Sequence, residues 1–226
     1  MPLLAVQNLH KDFSVGTRHV AAVQGVSFEL EAGQSIGIMG VSGAGKSTLL
    51  HMIGGLETPS SGEVYVRERA LYAATSPEQL EQYRQRDIGF VFQFHYLIAE
   101  LSALENAMLP LRIQRVPVAQ ARARAQAMLE RVGIGHRAEH RPAQMSGGEQ
   151  QRAALARALV HEPAILLADE PTGNLDASTG EEIGELLISL SREKSMALVV
   201  VTHNDVLAAR MDRVIEMRGG ALAARA

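Results

Sequence analysis

Ser35-Ile36-Gly37-Ile38-Met39-Gly40-Val41-Ser42-Gly43-Ala44-Gly45-Lys46-Ser47-Thr48 decides the fold. Ser35–Met39 is a short apolar run with the length of a buried parallel strand. Gly40 to Ser47 then matches G-x-x-x-x-G-K-S, and Ser47 to Gly54 reads as helix. Strand, glycine-rich loop and helix together are the context in which this spacing holds phosphate. Gly40, Gly43 and Gly45 permit tight turns and close backbone approach. Backbone N–H groups along the loop, through Ser42 and Ala44 to Thr48 at the helix start, are placed to cradle the phosphates of a nucleoside triphosphate. Lys46 is expected to reach the β- and γ-phosphates, and Ser47 to ligate Mg²⁺. A chance Gly-rich turn would not agree at every position and on both flanks.

Further along lies a matching half. Ile165-Leu166-Leu167-Ala168-Asp169-Glu170 ends an apolar strand on two carboxylates. The C-terminal ends of strands are where open α/β sheets bind ligands. Asp169 is expected to orient Mg²⁺ through water, and Glu170 to polarise an attacking water. Alone, this would read equally well as an acidic turn; paired with the loop it reads as chemistry. Met145-Ser146-Gly147-Gly148-Glu149 precedes a helix and fits a capping box, S-x-x-E. A well-capped helix start explains Ser146 and Glu149. Gly147 and Gly148 add backbone N–H groups open to an anion. In Phe90-Val91-Phe92-Gln93-Phe94-His95-Tyr96 the aromatics recur at period two, so Gln93 faces away from them in an extended chain. The competing reading is a core strand with one polar residue.

The rest of the chain frames these motifs. Leu4–Leu9 and Val20–Leu30 alternate apolar and polar residues, and Glu63–Val66 is a further strand. Ser76-Pro77 starts a helix, and Pro117–Val132 is a helix stopped by Gly133 and Gly135. Glu149–Val160, Thr179–Leu190 and Asp205–Met211 read as helices, with strands at Ala197–Val201 and Val214–Met217. Strand–helix alternation implies a parallel or mixed sheet covered on both faces. The expected architecture is an α/β core of about 1–90 plus 155–226, interrupted by a helical insertion near 95–154. With 226 residues the chain needs no disulfide or metal staple, and Cys 0 fits a reducing compartment. A net charge of −3 gives no basic field for nucleic acid. No apolar run reaches the roughly 20 residues that cross a bilayer, and the N-terminus lacks a secretory pattern. The chain is expected to be soluble and cytoplasmic, with any membrane role exerted through a partner.

The phosphate loop, Ser146-Gly147-Gly148-Glu149-Gln150-Gln151-Arg152 and Leu167–Asp176, in that order and spacing, resemble the ATP-binding subunits of ABC transporters over the whole chain. The resemblance implies a P-loop NTPase (RecA-like) core with a mixed sheet, an N-terminal antiparallel β part and an inserted α-helical subdomain. It implies ATP and Mg²⁺ as ligands and a head-to-tail homodimer. In that dimer Ser146, Gly147, Gly148 and Glu149 bind the γ-phosphate held by the other subunit's loop. Asn174-Leu175-Asp176 resembles the D-loop, which reaches across the dimer. Gln93 then senses Mg²⁺ and the attacking water, while its aromatic neighbours contact a membrane partner. His203, after Val199-Val200-Val201-Thr202, resembles the switch histidine at the γ-phosphate. Phe13 stands where an aromatic stacks on adenine, and equally where a core residue would stand.

Leu49–Pro59, Ala103-Leu104-Glu105-Asn106 and Ala168–Asp176 are similar to the subfamily containing LolD, MacB and FtsE. Gln93–Ile98, His136–Pro142 and Arg210–Gly220 are similar to its lipoprotein-releasing branch. That likeness implies ATP-driven release of lipoproteins from the inner membrane, at its cytoplasmic face, with membrane subunits resembling LolC and LolE. The rival expectations are a MacB-like efflux ATPase and an FtsE-like signalling ATPase. Met145 stands where this family usually has Leu, Glu149 where Gln is commoner, and Asn204 where Asp is frequent; none of these removes a catalytic role.

Overall fold

Residues Ala197–Val201 are buried without exception, as are Ile165 to Ala168. Central parallel strands require this, because both faces of their sheet are covered. The computed structural model describes residues 1–16, 18–73 and 75–223. Its strands are β1 (Leu4–Val15), β2 (Arg18–Leu30), β3 (Ser35–Met39), β4 (Ser61–Val66), β5 (Arg69–Ala70), β6 (Ile88–Phe92), β7 (Ile165–Asp169), β8 (Ala197–Val201), β9 (Arg213–Arg218) and β10 (Ala221–Ala223). Its α-helices are α1 (Lys46–Ile53), α2 (Pro77–Arg86), α3 (Ala103–Ile113), α4 (Val118–Arg131), α5 (Gly147–Leu159), α6 (Ala177–Glu193) and α7 (Asp205–Ala209).

The strands form two sheets. A six-stranded sheet has the order β10-β9-β3-β8-β7-β6, and a four-stranded sheet the order β2-β1-β4-β5. In the first, β3, β6, β7, β8 and β9 pair in parallel and β10 closes the edge antiparallel to β9. The second is antiparallel throughout. The chain is thus an α/β fold with a mixed sheet and an N-terminal antiparallel part.

Side-chain alternation along β7 and β8 divides the interior. Ile165, Leu167, Ala197, Val199 and Val201 face α1 and the antiparallel sheet, in a core with Leu4, Leu9, Ile36 and Leu50. Leu166, Ala168, Leu198 and Val200 face the other way, into a core shared with Leu104, Leu111, Leu129, Leu155 and Leu187. The period of two along each strand produces this split. Each large aliphatic side chain so buried contributes roughly 1.5–3 kcal/mol relative to exposure. Helix α5 starts at the surface and runs inward, with Ala153 to Ala156 buried.

Local signals set the helix ends. Ser76 Oγ accepts from Gln79 N while Gln79 returns the bond to Ser76 N, with Pro77 in the first turn, as the sequence predicts. α4 gives way to Gly133 at φ 82. Within the expected helical insertion, Ala103–Ile113 forms a helix of its own, with Pro110 inside it. Its start is encoded: Ser102 and Glu105 form another reciprocal capping box. β10 is likewise additional to the expected elements. β1 extends beyond Leu9 to Val15 because its hairpin partner β2 continues opposite it, through bulges near Leu9 and Lys11.

Candidate functional site

A cavity of about 740 Å³ opens at the C-terminal ends of β3 and β7. Its floor is the phosphate loop, Gly40 to Thr48. The loop folds as it does because two glycines meet backbone. At Gly40 (φ 151) an added Cβ would lie 2.2 Å from Met217 O, and at Gly45 (φ 94) 2.0 Å from Ala22 O. Gly45 is also the N-cap of α1 and offers no side-chain oxygen to that helix's first N–H groups. Those donors therefore point into the cavity, at the positive end of the helix dipole. Lys46 is largely buried, and its Nζ donates to Gly40 O at 2.7 Å and Val41 O at 3.1 Å. The loop carbonyls hold the ammonium over the cradle.

The far wall carries the carboxylates. Asp169, ending β7, accepts a hydrogen bond from Ser47, yet its Oδ1 is buried without a partner. Burial pushes the Asp169 carboxyl above its ordinary value, and the Ser47 hydrogen bond only partly opposes this. A carboxylate and a hydroxyl, with one oxygen left unsatisfied, form the sparse hard-oxygen donor set that suits Mg²⁺, which keeps several waters and takes the rest from phosphates. Among the described residues there is no group of three or more His, Cys, Asp or Glu that could hold a metal ion. Because the folded pKa of Asp169 is raised, stability is lost as pH climbs from the ordinary carboxylate value through the raised one. D169N removes that penalty, so the nucleotide-free protein should melt at a higher temperature than the native chain at neutral pH. The gain should vanish in acid, as measured by thermal melts across pH.

Glu170 sits just beyond, at φ 47, a left-handed conformation rare for a side chain with a Cβ. Its N–H donates to Val201 O at 2.8 Å, which fixes the turn against β8. The carboxylate takes two bonds from one neighbour: His203 Nδ1 lies 2.9 Å from Oε1, and His203 N donates to Oε2 at 3.2 Å. His203 itself is exposed at the cavity mouth. Thr202 is fully buried, and its hydroxyl accepts from Asn204 N, which turns the chain there. Gln93 and Phe13 also line the cavity. The Lys11 ammonium lies 4.9 Å from the Phe13 ring centroid. Phe13 is partly buried, lines the cavity and is part of neither hydrophobic core.

Several lining residues carry no sequence motif. Ala21, Ala22, Gly219 and Gly220 form a side wall. Gln24 Nε2 donates to Gly219 O at 2.6 Å, and Gln24 N to Gly220 O at 2.8 Å, tying β2 to the β9–β10 turn. The Gly219-Gly220 pair was the available signal for that turn.

Two motifs lie outside the cavity. Ser146 caps α5 through the expected box: its Oγ accepts from Glu149 N at 3.2 Å, and Glu149 Oε2 accepts from Ser146 N at 2.8 Å. Asp176 caps α6 by accepting from Thr179 N, and Asn174 Nδ2 donates to Gln93 O at 3.0 Å. Gly147 faces Leu175, whose Cδ2 would be 3.7 Å from an added Cβ. Ser146–Glu149 and Asn174–Asp176 therefore adjoin each other on one surface, apart from their own chain's phosphate loop.

On the opposite side of Gln93 lies a groove of about 550 Å³, lined by Phe90, Phe92, Tyr96, Leu109, Pro110 and Ile113 among others. Phe90 and Phe92 stack at 5.2 Å between centroids, and Tyr96 meets Phe92 edge-on at 5.3 Å. Gln93 lines the cavity and Phe90, Phe92 and Tyr96 line the groove, but the expected alternation holds only along β6: the chain leaves the extended form after Phe92, Tyr96 has φ 46, and Phe94 does not line the groove. Beyond β6 the loop is held by Arg157 of α5, which donates to His95 O and Tyr96 O at 2.7 and 2.5 Å. Buried Asn106 anchors the same loop through Ile98 N and O.

Comparison with known proteins agrees with this geometry. The ABC transporter family model matches residues 23–173. The lipoprotein-releasing system ATP-binding protein LolD of Myxococcus xanthus is 47% identical, the alignment covering 97% of this chain and 98% of that protein. LolD of Pseudomonas fluorescens is also 47% identical, over 98% of this chain and 97% of its own length. The dimeric structure of MJ0796, a bacterial ABC transporter cassette, superposes with a TM-score of 0.90 at 39% identity, covering 98% of this chain and 97% of that one. A post-hydrolysis state of the same cassette, bound to ADP and Pi, superposes equally well. With a phosphate cradle, paired carboxylates and full-length likeness in agreement, the chain belongs to the ABC transporter family, as an ATP-binding subunit similar to LolD.

Proposed function

We propose that this chain hydrolyses ATP as the motor subunit of a transporter that releases lipoproteins from the inner membrane. The observation that carries the ATPase reading is the single cavity uniting the phosphate loop with Gln93, Asp169, Glu170 and His203. Full-length likeness to LolD proteins supports lipoprotein release over efflux or signalling.

The residues divide the work. The loop N–H groups from Gly40 to Ser47, the α1 N-terminus and Lys46 bind the triphosphate. Phe13 offers a ring at the cavity rim for the adenine. Mg²⁺ would be held by Ser47, Gln93 and, through water, Asp169; when bound it neutralises charge on the β- and γ-phosphates. Glu170 takes the proton of the attacking water. His203, already bonded to both Glu170 oxygens, orients that carboxylate and faces the γ-phosphate.

The chain acts as a head-to-tail homodimer. Ser146, Gly147, Gly148 and Glu149 of one subunit cover the ATP held by the other, flanked by Asn174, Leu175 and Asp176. One feature of the fold supports this role. Gly147 has an ordinary φ and space for a Cβ, so its own chain's packing does not require glycine there. A closely approaching anion would. The helical segment near 95–154 moves with dimer closure and shifts the wall of the aromatic groove that Tyr96, Leu109, Pro110 and Ile113 form. Among the described residues no helix is long and apolar enough to cross a membrane. The apolar groove at Phe90, Phe92 and Tyr96, with Phe94 exposed nearby, docks integral membrane subunits resembling LolC and LolE at the cytoplasmic face. Tagging the chain in its host and identifying what co-purifies tests this. Two related membrane proteins support the reading; a single FtsX-like or MacB-like partner replaces it.

A further inference from the structure

Glu149 places a carboxylate in the first turn of α5, the helix end that the proposed dimer turns towards a triphosphate. Two anions meeting where water is being excluded repel one another strongly. The fold answers that charge locally. Arg137 Nε donates to Glu149 Oε1 at 2.8 Å, while Oε2 is occupied by Ser146 N. Arg137 NH1 lies 3.2 Å from His140 Nε2, which steadies the guanidinium. The segment bearing both residues is tied to α3, because Ala103 N donates to His140 O at 2.8 Å and Leu104 N to Ala138 O at 2.9 Å. Arg152, one turn further along α5, is committed elsewhere, to Glu182 at 2.8 Å and Val132 O at 2.9 Å. Arg137 is therefore the cation paired with Glu149 among the described residues. The pair is partly exposed, with side-chain exposures of 36% and 20%, so it adds little to folding stability. Its effect falls on an anion arriving at the helix end.

We infer that Arg137 is a positioning residue for hydrolysis: it neutralises and orients Glu149, so that the α5 N-terminus can receive the γ-phosphate of ATP held by the partner subunit. This rests on the proposed head-to-tail arrangement. The test is ATPase kinetics of the complex purified through a tag on this chain. R137A should raise KM for ATP about tenfold at low ionic strength, the expected scale for one uncompensated charge near a phosphate. R137K, which keeps the charge, should stay within about threefold of the native value. In an E149Q background R137A should change KM by less than about twofold, because Gln still closes the capping box but carries no charge. Near 1 M salt, where the screening length is about 3 Å, the R137A defect relative to the native protein should shrink. An R137A defect of equal size in both backgrounds, or one indifferent to salt, would make Arg137 merely structural and overturn the inference. So would an unchanged KM. Gly147→Asp separates this from the arrangement beneath it, because its Cβ has room to fold beside Leu175. Native turnover in that variant would remove the trans-phosphate role of the motif, whatever Arg137 does.

Discussion

E170Q should bind ATP as the native chain does and lose roughly 10²–10⁴-fold in turnover, the usual contribution of a positioned general base. Gln matches Glu in size and still accepts from His203 N, so the turn at φ 47 and its bond to Val201 O should survive. What it cannot do is take a proton from water. The loss should therefore appear in kcat with little change in KM, which is the pattern of an interaction made only in the transition state. Steady-state phosphate release, alongside nucleotide binding measured separately, distinguishes the two. Turnover near the native value would take Glu170 out of the role and leave its unusual backbone without a functional reason.

K46A should act one step earlier. Lys46 donates to Gly40 O and Val41 O and so overhangs the cradle. Removing it deletes charge-assisted hydrogen bonds to phosphate, each of which contributes about 1.5–3 kcal/mol. ATP affinity should fall about 10- to 100-fold, and turnover with it. Without nucleotide the same variant loses the bonds to Gly40 O and Val41 O, so thermal melting should fall modestly as well. Unchanged affinity, measured by titration calorimetry, would contradict the assignment of the loop.

Much of the site can be read from the chain because its chemistry is local. Gly45-Lys46-Ser47 has to follow a strand and start a helix, and both neighbours are legible from a few residues. Asp169-Glu170 is legible for the same reason, since Ile165–Ala168 announces a fully buried strand. The alternation before Gln93 survives only as far as Phe92, where β6 ends and the chain turns away from the extended form. Less legible is what depends on partners distant in sequence. The side wall at Ala22 and Gly220 exists only because β2 and the β9–β10 turn come together, through Gln24, across most of the chain. α3 is obscured by Pro110, whose ring reads as a helix break, although Ser102 and Glu105 mark the start. The Arg137–Glu149 pair spans a turn and a short 3₁₀ segment, and residue spacing alone does not predict it.

ATP hydrolysis by this chain should drive release of lipoproteins from a membrane. The most direct measurement reconstitutes the tagged complex in proteoliposomes with a bound lipoprotein and follows its appearance in solution with a soluble acceptor. Release should require both ATP and Mg²⁺ and should cease in E170Q while nucleotide still binds. Steady ATP hydrolysis by the native complex with the lipoprotein left wholly in the membrane would contradict the account, most sharply if a macrolide or peptide moved instead.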